Sequence, residues 1–401
     1  MKKKKLYILI LFVISVLVTG CSEEQNEPLE NSKVPPGNIT NIQIENQHGK
    51  VKLTYTLPKD QDLLYVKAVY TLESGVVREI KSSYYQNTMI LDGFIQTSEH
   101  EIKVSAVNRS EVESEPVIVK VNPLENPMWE MLRSMKVEGD FSGIKITVDN
   151  PYKEAVSIEL IKKDSLGNWN PFLPYIYSSS PQIRYITRGL DPVPQEFGLT
   201  IRDRFRNYTD TLYTIVTPLY EEHLAKNLFR EMKLPGDADI QTVTDGMRSM
   251  WDGNSDYKNW NRMLTVTANT NIQWITFDTG QLAKLSRIKI QNYGEEVGGG
   301  YQFFYRGQLR HFEIWGSANP NPDGSWDSWT KLGTFECKKP SGLPYGQNSA
   351  SDFEAGVAGF EYEISSDAPK VRYLRIKSLE NWTGTTWFEI LEVDVFGDTR
   401  P

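Results

Sequence analysis

Hydrophobic and polar residues alternate along much of the chain in short runs. Val51–Leu57 and Glu101–Val107 carry apolar side chains at every second position. A period of two predicts β-strands with one buried face. Turn residues follow these runs about every ten residues, which is typical of antiparallel sandwiches. The pattern predicts an all-β chain.

One stretch of this pattern occurs twice. Residues 102–124 and 197–219 align without gaps in polarity, and both end in Pro-Leu. Such self-similarity predicts a tandem duplication of one sandwich unit. The alternative, that any two edge segments look alike, remains open at this point.

A different spacing follows the second copy. Leu224, Leu228 and Met232 lie four residues apart with charged residues between them, and Pro235-Gly236 comes directly afterwards. This spacing predicts a short amphipathic helix that links the second unit to the rest of the chain.

The first twenty residues predict a secretion signal. Lys2–Lys5 precede the apolar run Leu6–Val18, which is too short and wrongly flanked for a spanning helix. The run ends in Val-Thr-Gly and Cys21, which resembles the bacterial lipobox. The resemblance implies acylation of Cys21 and a lipid anchor; the alternative is an uncleaved segment with an incidental cysteine.

The residues after Cys21 are acidic, polar and proline-containing, which predicts a flexible tether. Ser22-Glu23-Glu24 resembles the surface-export signal of Bacteroidetes-type lipoproteins, although an ordinary solvated tether would look the same. The predicted divisions are a signal peptide at 1–20, a tether at 21–34, sandwiches at 35–124 and 125–218, a helical linker at 219–244 and a last domain at 245–401.

Charge and composition narrow the function. The formal net charge is −8, and removal of the four signal lysines leaves 40 basic and 52 acidic residues, or −12. An acidic chain argues against a nucleic-acid partner. With 2 Cys and 4 His, one Cys being assigned to the anchor, neither an internal disulfide nor a zinc site is expected.

Two resemblances concern the folded part. Residues 34–123 resemble a fibronectin type III module, through Pro35-Pro36-Gly37, Tyr55 and the alternating Ile102–Val107. Four ordered motifs of residues 245–398 resemble a discoidin, or factor 5/8 type C, domain of the galactose-binding-like group. These motifs are Met250–Asn254, Ile275–Gly280, Phe312–Ser317 and Val371–Ile376, closed by Glu389–Gly397. The second resemblance implies an eight-stranded jelly-roll sandwich.

The discoidin resemblance also implies one structural Ca²⁺. The matching oxygen ligands are Asp252, Asn254, Asp256 and Glu392. This sequence departs from the family pattern, because the loop from Asp252 to Trp260 is one residue longer and lacks the customary Thr. A plain Asp-Gly-Asn turn is therefore the alternative.

A sugar site needs an aromatic ring for the apolar face of a pyranose and fixed polar groups for its hydroxyls. Aromatic residues on strands are expected in the core, so loop residues are the better candidates. Three segments predict ligand-binding residues: the long loop before residue 310, the Asn/Pro/Asp/Gly loop after Ser317 and the Thr-Gly-Thr turn before the last strand. These residues are Tyr301, Tyr305, Arg306, Trp326, Trp382 and Trp387.

The order of lipobox, tandem sandwiches and discoidin-like domain resembles surface lipoproteins encoded beside glycan-import systems of Bacteroidetes. It implies an outer-membrane, outward-facing lipoprotein that binds a glycan, performs no chemistry and works beside an outer-membrane glycan transporter. The alternatives are a structural or protein-docking role in the same complex and, third, an enzyme acting on glycosides. No nucleophile elbow, zinc motif or phosphate loop is present in the sequence.

Overall fold

The structure, a computed structural model, describes residues 28, 30–241, 245–268 and 271–401. Strands account for 48% and helices for 8%, so the predicted all-β fold built from sandwich sheets is confirmed. None of the helices in these described ranges is long and apolar enough to cross a membrane. The signal peptide and Cys21 lie outside the described residues.

The first sandwich packs a three-stranded sheet, in the order β1-β2-β5, against a four-stranded sheet, in the order β4-β3-β6-β7. Its strands are β1 (Thr40–Gln47), β2 (Lys50–Thr56), β3 (Leu63–Thr71), β4 (Val77–Ser83), β5 (Thr88–Asp92), β6 (His100–Asn108) and β7 (Val117–Val121). Alternate residues of these strands, Val51, Leu53 and Tyr55 among them, form one buried apolar core.

The second sandwich packs the sheet β13-β9-β8 against the sheet β11-β10-β14-β15, with β12 also paired to β10. The strands are β8 (Lys136–Asp140), β9 (Gly143–Asp149), β10 (Val156–Lys163), β11 (Trp169–Pro171), β12 (Ile176–Ser178), β13 (Gln182–Ile186), β14 (Gln195–Asp203) and β15 (Leu212–Val216). A helix, Pro127–Ser134, enters this unit and buries Met128 and Met131 in its core.

Side-chain contacts confirm the internal repeat. Asn108 and Asp203 each accept hydrogen bonds from the backbone N–H groups two and four residues on, at 2.8–3.0 Å. Ser114 and Thr209 each accept one, at 3.0 Å, from the N–H group eight residues earlier. The aligned polar residues therefore close the same turn in both copies.

The last unit contains an eight-stranded sheet system with the order β16-β27-β19-β25-β22-β23, to which β17 and β24 add by pairing with β19. The strands are β16 (Glu222–His223), β17 (Arg230–Met232), β18 (Met263–Leu264), β19 (Gln273–Gln291), β20 (Glu295–Val297), β21 (Gly300–Gln302), β22 (Leu309–Ser317), β23 (Thr330–Glu336), β24 (Phe360–Glu363), β25 (Val371–Asn381), β26 (Glu389–Ile390) and β27 (Glu392–Asp398). A helix, Ala350–Ala358, and three short 3-10 helices complete it.

Strand β19 belongs to both layers of this sandwich. Its first half pairs with β25, its second half pairs with β27, and the register shifts between Asp278 and Ala283. Gly280, at φ +70°, makes the bend, because only glycine adopts this conformation without strain. The two layers enclose a core that contains Ile275, Phe277 and Val393.

The helix predicted between Leu224 and Met232 is wrong. This segment forms β16, a 3-10 turn at Lys226–Leu228 and β17, which pair with β27 and β19 respectively. Leu224 and Phe229 are buried in the core of the last sandwich, whereas Leu228 is 39% exposed. The open edges of both sheets bind the segment as strand, and tertiary pairing overrides the four-residue spacing.

The junctions between successive sandwiches differ in chemistry. At the first, Asn207 donates to the carbonyl of Gly93 at 2.8 Å in a buried hydrogen bond, and Arg204 pairs with Asp92 at 2.5 Å. At the second, Arg184 and Arg188 reach Glu363 at 3.4 and 3.2 Å, with all three side chains partly exposed.

Candidate functional site

A trough of about 450 Å³ lies where loops meet at one end of the last sandwich. Arg310 at the start of β22, Glu336 at the end of β23, the loop at 337–349 and the turn after β25 form its walls. Its principal side chains are Arg310, Glu336, Lys338, Lys339, Tyr345 and Trp382. An open cavity with aromatic and polar walls is the usual form of a small-ligand site.

The turn before β22 presents Tyr305 and Arg306 beside this trough. The flanking Phe304 and Arg306 have left-handed backbone conformations, at φ +55° and +46°, which are strained for side chains of this size. Buried Gln308 holds the turn, because its side chain accepts from the N–H of Phe304 and donates to the carbonyl of Tyr293. Tyr305 stacks on Tyr345, with ring centres 4.7 Å apart and planes at 7°.

Trp382 is half-buried at the inner wall of the trough. Its ring meets the ring of Phe304 edge to face at 5.2 Å, and the guanidinium of Arg310 lies 5.1 Å from its centroid. Beneath it, Phe303, Phe304 and Cys337 form a small apolar cluster separate from the main core. Trp382 therefore serves as wall and as packing residue.

Hydrogen bonds to a carboxylate fix the loop at 337–349. Asp352, in the first turn of the helix Ala350–Ala358, accepts from the backbone N–H and hydroxyl of Ser341, and it forms a capping box with Ser349. Burial raises the pKa of Asp352, but these hydrogen bonds outweigh it and lower the pKa to about 2. The loop that carries Tyr345 is thus held at both ends.

The lining is more cationic than the chain as a whole. Arg310, Lys338 and Lys339 face the cavity, with Glu336 as the acid in the lining. Lys338 has no ion-pair partner in the described ranges, and Arg310 pairs with Glu380 at 3.5 Å. In an acidic protein this arrangement favours anionic or strongly hydrogen-bonding ligands.

A buried charge network underlies Arg306. Arg306 pairs with Glu295 at 3.2 Å, and Arg262 lies 3.6 Å from Glu295 and donates to Glu389 at 2.6 Å. Burial raises the pKa of Glu389 to about 8, although Arg262 opposes this. Trp260, 61% exposed, lies on the Arg262 guanidinium at 4.5 Å. The ion pair with buried Glu295 therefore fixes the position of the exposed Arg306 side chain.

Of the predicted ligand-binding residues, Trp382 lines the trough and Tyr305 adjoins it by stacking on Tyr345, whereas the side chain of Arg306 pairs with Glu295. Trp387 packs directly on Gly307, since a Cβ there would be 1.9 Å from its ring. Tyr301 contacts Tyr257 at 5.3 Å on the far side of the turn.

Trp326 lies apart, on the outer face of the sheet. Its ring contacts Trp274 at 5.3 Å and Trp315 at 4.9 Å, and it covers the buried guanidinium of Arg375 at 4.4 Å. Sequence reasoning missed Tyr345, although a Pro-Tyr-Gly sequence in a long loop was a signal of the same kind as the others.

The four predicted calcium ligands are engaged within the chain. Asp252, Asn254 and Asp256 each accept from the N–H two residues on, at 2.8, 3.2 and 3.1 Å, and Glu392 accepts from the N–H of Gly253 at 3.2 Å. Glu392 also contacts the ammonium of Lys226, which lies 2.6 Å from Asp394. Burial raises the pKa of Glu392 to about 7, with Lys226 opposing.

The described residues contain no set of three or more His, Cys, Asp or Glu arranged to hold a metal. The ammonium of Lys226 occupies the carboxylate of Glu392, so we expect these oxygens to take calcium only when that ammonium is removed. Calcium binding stays a prediction.

Three protein-family models match the chain, each described as a domain of unknown function. They are DUF4959 at residues 36–123, DUF5126 at 124–227 and DUF5000 at 251–397. The comparison with curated proteins gave no match.

Solved structures similar to the chain include a SusE-like protein of Bacteroides. It is 30% identical, the match covers 68% of this chain and 100% of that one, and the TM-score is 0.46. A family 32 carbohydrate-binding module of the C. perfringens protein NanJ, solved with galactose, is 16% identical over 44% of this chain and 98% of that one, with TM-score 0.30. Two fibronectin type III domains of chicken tenascin are 14% identical over 45% and 99%, with TM-score 0.23.

Proposed function

The chain belongs to the family of SusE-like proteins, and from this premise we propose that it is a glycan-binding protein of the bacterial surface. It holds carbohydrate for an outer-membrane import system, and the trough of the last sandwich is the binding site. The transporter of that system is the expected protein partner.

The geometry of the trough carries this proposal. The stacked pair Tyr305–Tyr345 and the ring of Trp382 offer apolar faces, and Arg310 and Lys338 offer donors for sugar hydroxyls. Sugars are well hydrated, so each polar contact contributes little and rigid aromatic surfaces supply most of the affinity. The strained turn and the Asp352 hydrogen bonds fix these groups before a ligand arrives, which lowers the entropic cost of binding.

Binding without catalysis fits the acids present. Glycoside hydrolysis needs two carboxyl groups on either side of the bond. In the trough Glu336 is the acid of the lining, and Glu380 lies beside it on Arg310. Both carboxylates are engaged by His311, at 3.6 and 2.6 Å. Glu295 and Glu389 are buried with Arg262.

We expect Tyr345→Ala to weaken glycan binding about thirtyfold, because truncating a central aromatic platform costs about 2 kcal/mol. The measurement is a glycan array with residues 22–401, followed by calorimetric titration of the best ligand. Tyr345 is 47% exposed, so the melting temperature of the Tyr345→Ala variant should differ little from that of the parent. Trp382→Phe is the second variant, because it keeps packing against Phe304 and shortens the platform.

Tyr85→Ala, at an 81% exposed tyrosine of the first sandwich, is the matched control and should bind as the parent does. Equal glycan affinity of Tyr345→Ala, Trp382→Phe and the control would contradict the proposal that the trough is the glycan-binding site. Co-purification with a membrane partner, with no glycan bound, would favour the docking role instead.

We further propose that Cys21 is the lipid attachment site and that the protein faces the cell exterior. Cys21→Ala should release the protein from the outer-membrane fraction, since two or more acyl chains are needed for stable anchoring. Protease added to intact cells should remove the parent protein. Sedimentation of the variant with membranes would contradict the anchor, and full protection from protease would contradict the orientation.

A further inference from the structure

A second groove lies on the outer face of the middle sandwich. It has a volume of about 430 Å³ and is lined by residues of the strands β12, β10 and β14, which are adjacent in that order. Ser157 of β10 pairs in register with Tyr177 of β12 on one side and with Arg202 of β14 on the other. The three residues therefore form one row across the sheet.

The row has a gap in its middle because serine is small. Neighbouring strands lie about 4.8 Å apart, so Tyr177 and Arg202 stand roughly 10 Å apart at their backbones. Ser157, 4% exposed, lies between them. Tyr177 is 71% exposed and offers an aromatic wall.

Arg202 is held in place without a carboxylate. Its Nε donates to the hydroxyl of Ser157 at 3.2 Å, and its guanidinium carbon lies 4.6 Å from the ring of Tyr175 and 6.0 Å from that of Tyr208. Arg202 forms no ion pair within the ranges that the structure describes. By contrast, Arg204, two residues on, pairs with Asp92.

The acid in the groove lining is already engaged. The carboxylate of Asp203 accepts from the N–H groups of Phe205 and Asn207 and from the side chain of Asn207. The groove thus offers a fixed guanidinium and an exposed aromatic ring. A guanidinium without a carboxylate binds carboxylate or sulfate oxygens in a bidentate manner.

We propose that this groove binds an acidic sugar residue, with Arg202 on its anionic group and Tyr177 against its ring. The inference goes beyond the trough and adds a second site on the same chain, and the choice of a sugar as ligand rests on the proposed function. Two sites on one chain raise the avidity for a long polysaccharide without any new contact.

The test is calorimetric titration of residues 22–401 with trigalacturonate, with sulfated galactotriose and with neutral galactotriose. The first two distinguish carboxylate from sulfate. We expect Arg202→Met and Tyr177→Ala each to weaken binding of the preferred acidic trisaccharide at this site about tenfold or more, with neutral galactotriose unaffected. Arg202→Lys should bind more tightly than Arg202→Met but more weakly than the parent, since lysine keeps the positive charge and cannot form the bidentate pair of a guanidinium.

Tyr85→Ala is again the control, and melting curves check each variant for folding. Tyr177→Ala keeps the test valid even where Arg202→Met destabilises the sheet. If the acidic trisaccharides bind Arg202→Met and Tyr177→Ala as they bind the parent, the groove is not their binding site. If they do not bind the parent at all, the proposal is wrong. Loss of binding in Tyr345→Ala alone would support the trough as a glycan site and contradict the groove. Loss in Arg202→Met and Tyr177→Ala alone would support the groove and contradict the trough.

Discussion

Lys226 places a positive charge of the chain itself at the position where the discoidin resemblance implies calcium. Its ammonium contacts Glu392, whose side chain is 2% exposed, and Asp394. A buried carboxylate requires a cation or a proton, and removing one partner of a buried pair costs about 3 kcal/mol or more. The ammonium of Lys226 thus supplies the positive charge beside Glu392 that a calcium ion would otherwise supply.

We expect Lys226→Met to lower the melting temperature and to make it depend on calcium. Calcium in hundredfold excess over its dissociation constant would restore about 2.7 kcal/mol. The parent protein should melt at the same temperature in EDTA and in calcium chloride. Lys226→Arg, which keeps the charge, is the control. A fall in the parent's melting temperature with EDTA would show that calcium binds despite Lys226.

At the scale of elements, the segment before the last domain belongs to that domain's sheets. β16 and β17 extend the sheets beside β27 and β19, and Leu224 and Phe229 fill the core between them. The part of the predicted linker that precedes Pro235-Gly236 is therefore not separate from the last domain. A fragment that begins there loses two strands, two core side chains and Lys226.

We expect residues 220–401 to unfold cooperatively and at a clearly higher temperature than residues 236–401. Each lost core side chain contributes about 2–5 kcal/mol, which is a large part of the stability of a single domain. Thermal and urea unfolding, followed by circular dichroism, provide the comparison. Equal stability of the two fragments would show that the segment packs on the domain without supporting it.

For the whole molecule, the second junction sets how the two proposed sites face one another, and it differs in chemistry from the first. The first junction combines buried hydrogen bonds to backbone carbonyls, such as that from Asn207, with the ion pair Arg204–Asp92, so salt weakens only part of it. The second uses the partly exposed ion pairs of Glu363, which salt screens within a Debye length of about 10 Å at 0.1 M. The groove and the trough lie on opposite sides of this second junction.

The sequence predicts the layers of this molecule better than its site. Alternation predicts strands because a half-buried sheet enforces it, and the aligned Asn108 and Asp203 reveal the repeat because each closes the same turn. The spacing of Leu224 and Leu228 fits a helix equally well, and only the distant edges of β27 and β19 decide against it.

The residues proposed to bind the ligand are brought together by contacts that no local pattern contains. Trp382 and Trp387 look alike in the sequence, but Trp387 packs on Gly307, which lies in a different loop. Tyr345 owes its proposed role to its stacking on the ring of Tyr305, forty residues earlier.

Cys337 lies in the small apolar cluster under the trough, and the rate at which its thiol is modified reports on the opening of that cluster. With Cys21 acylated it is the one thiol of the mature chain, it is 1% exposed, and burial raises its pKa to about 12. Thiol reagents attack the thiolate, so they react only when the cluster with Phe303 and Phe304 opens. The rate of modification in the native protein therefore measures how often this cluster under the trough opens, and we expect a ligand bound in the trough to lower that rate.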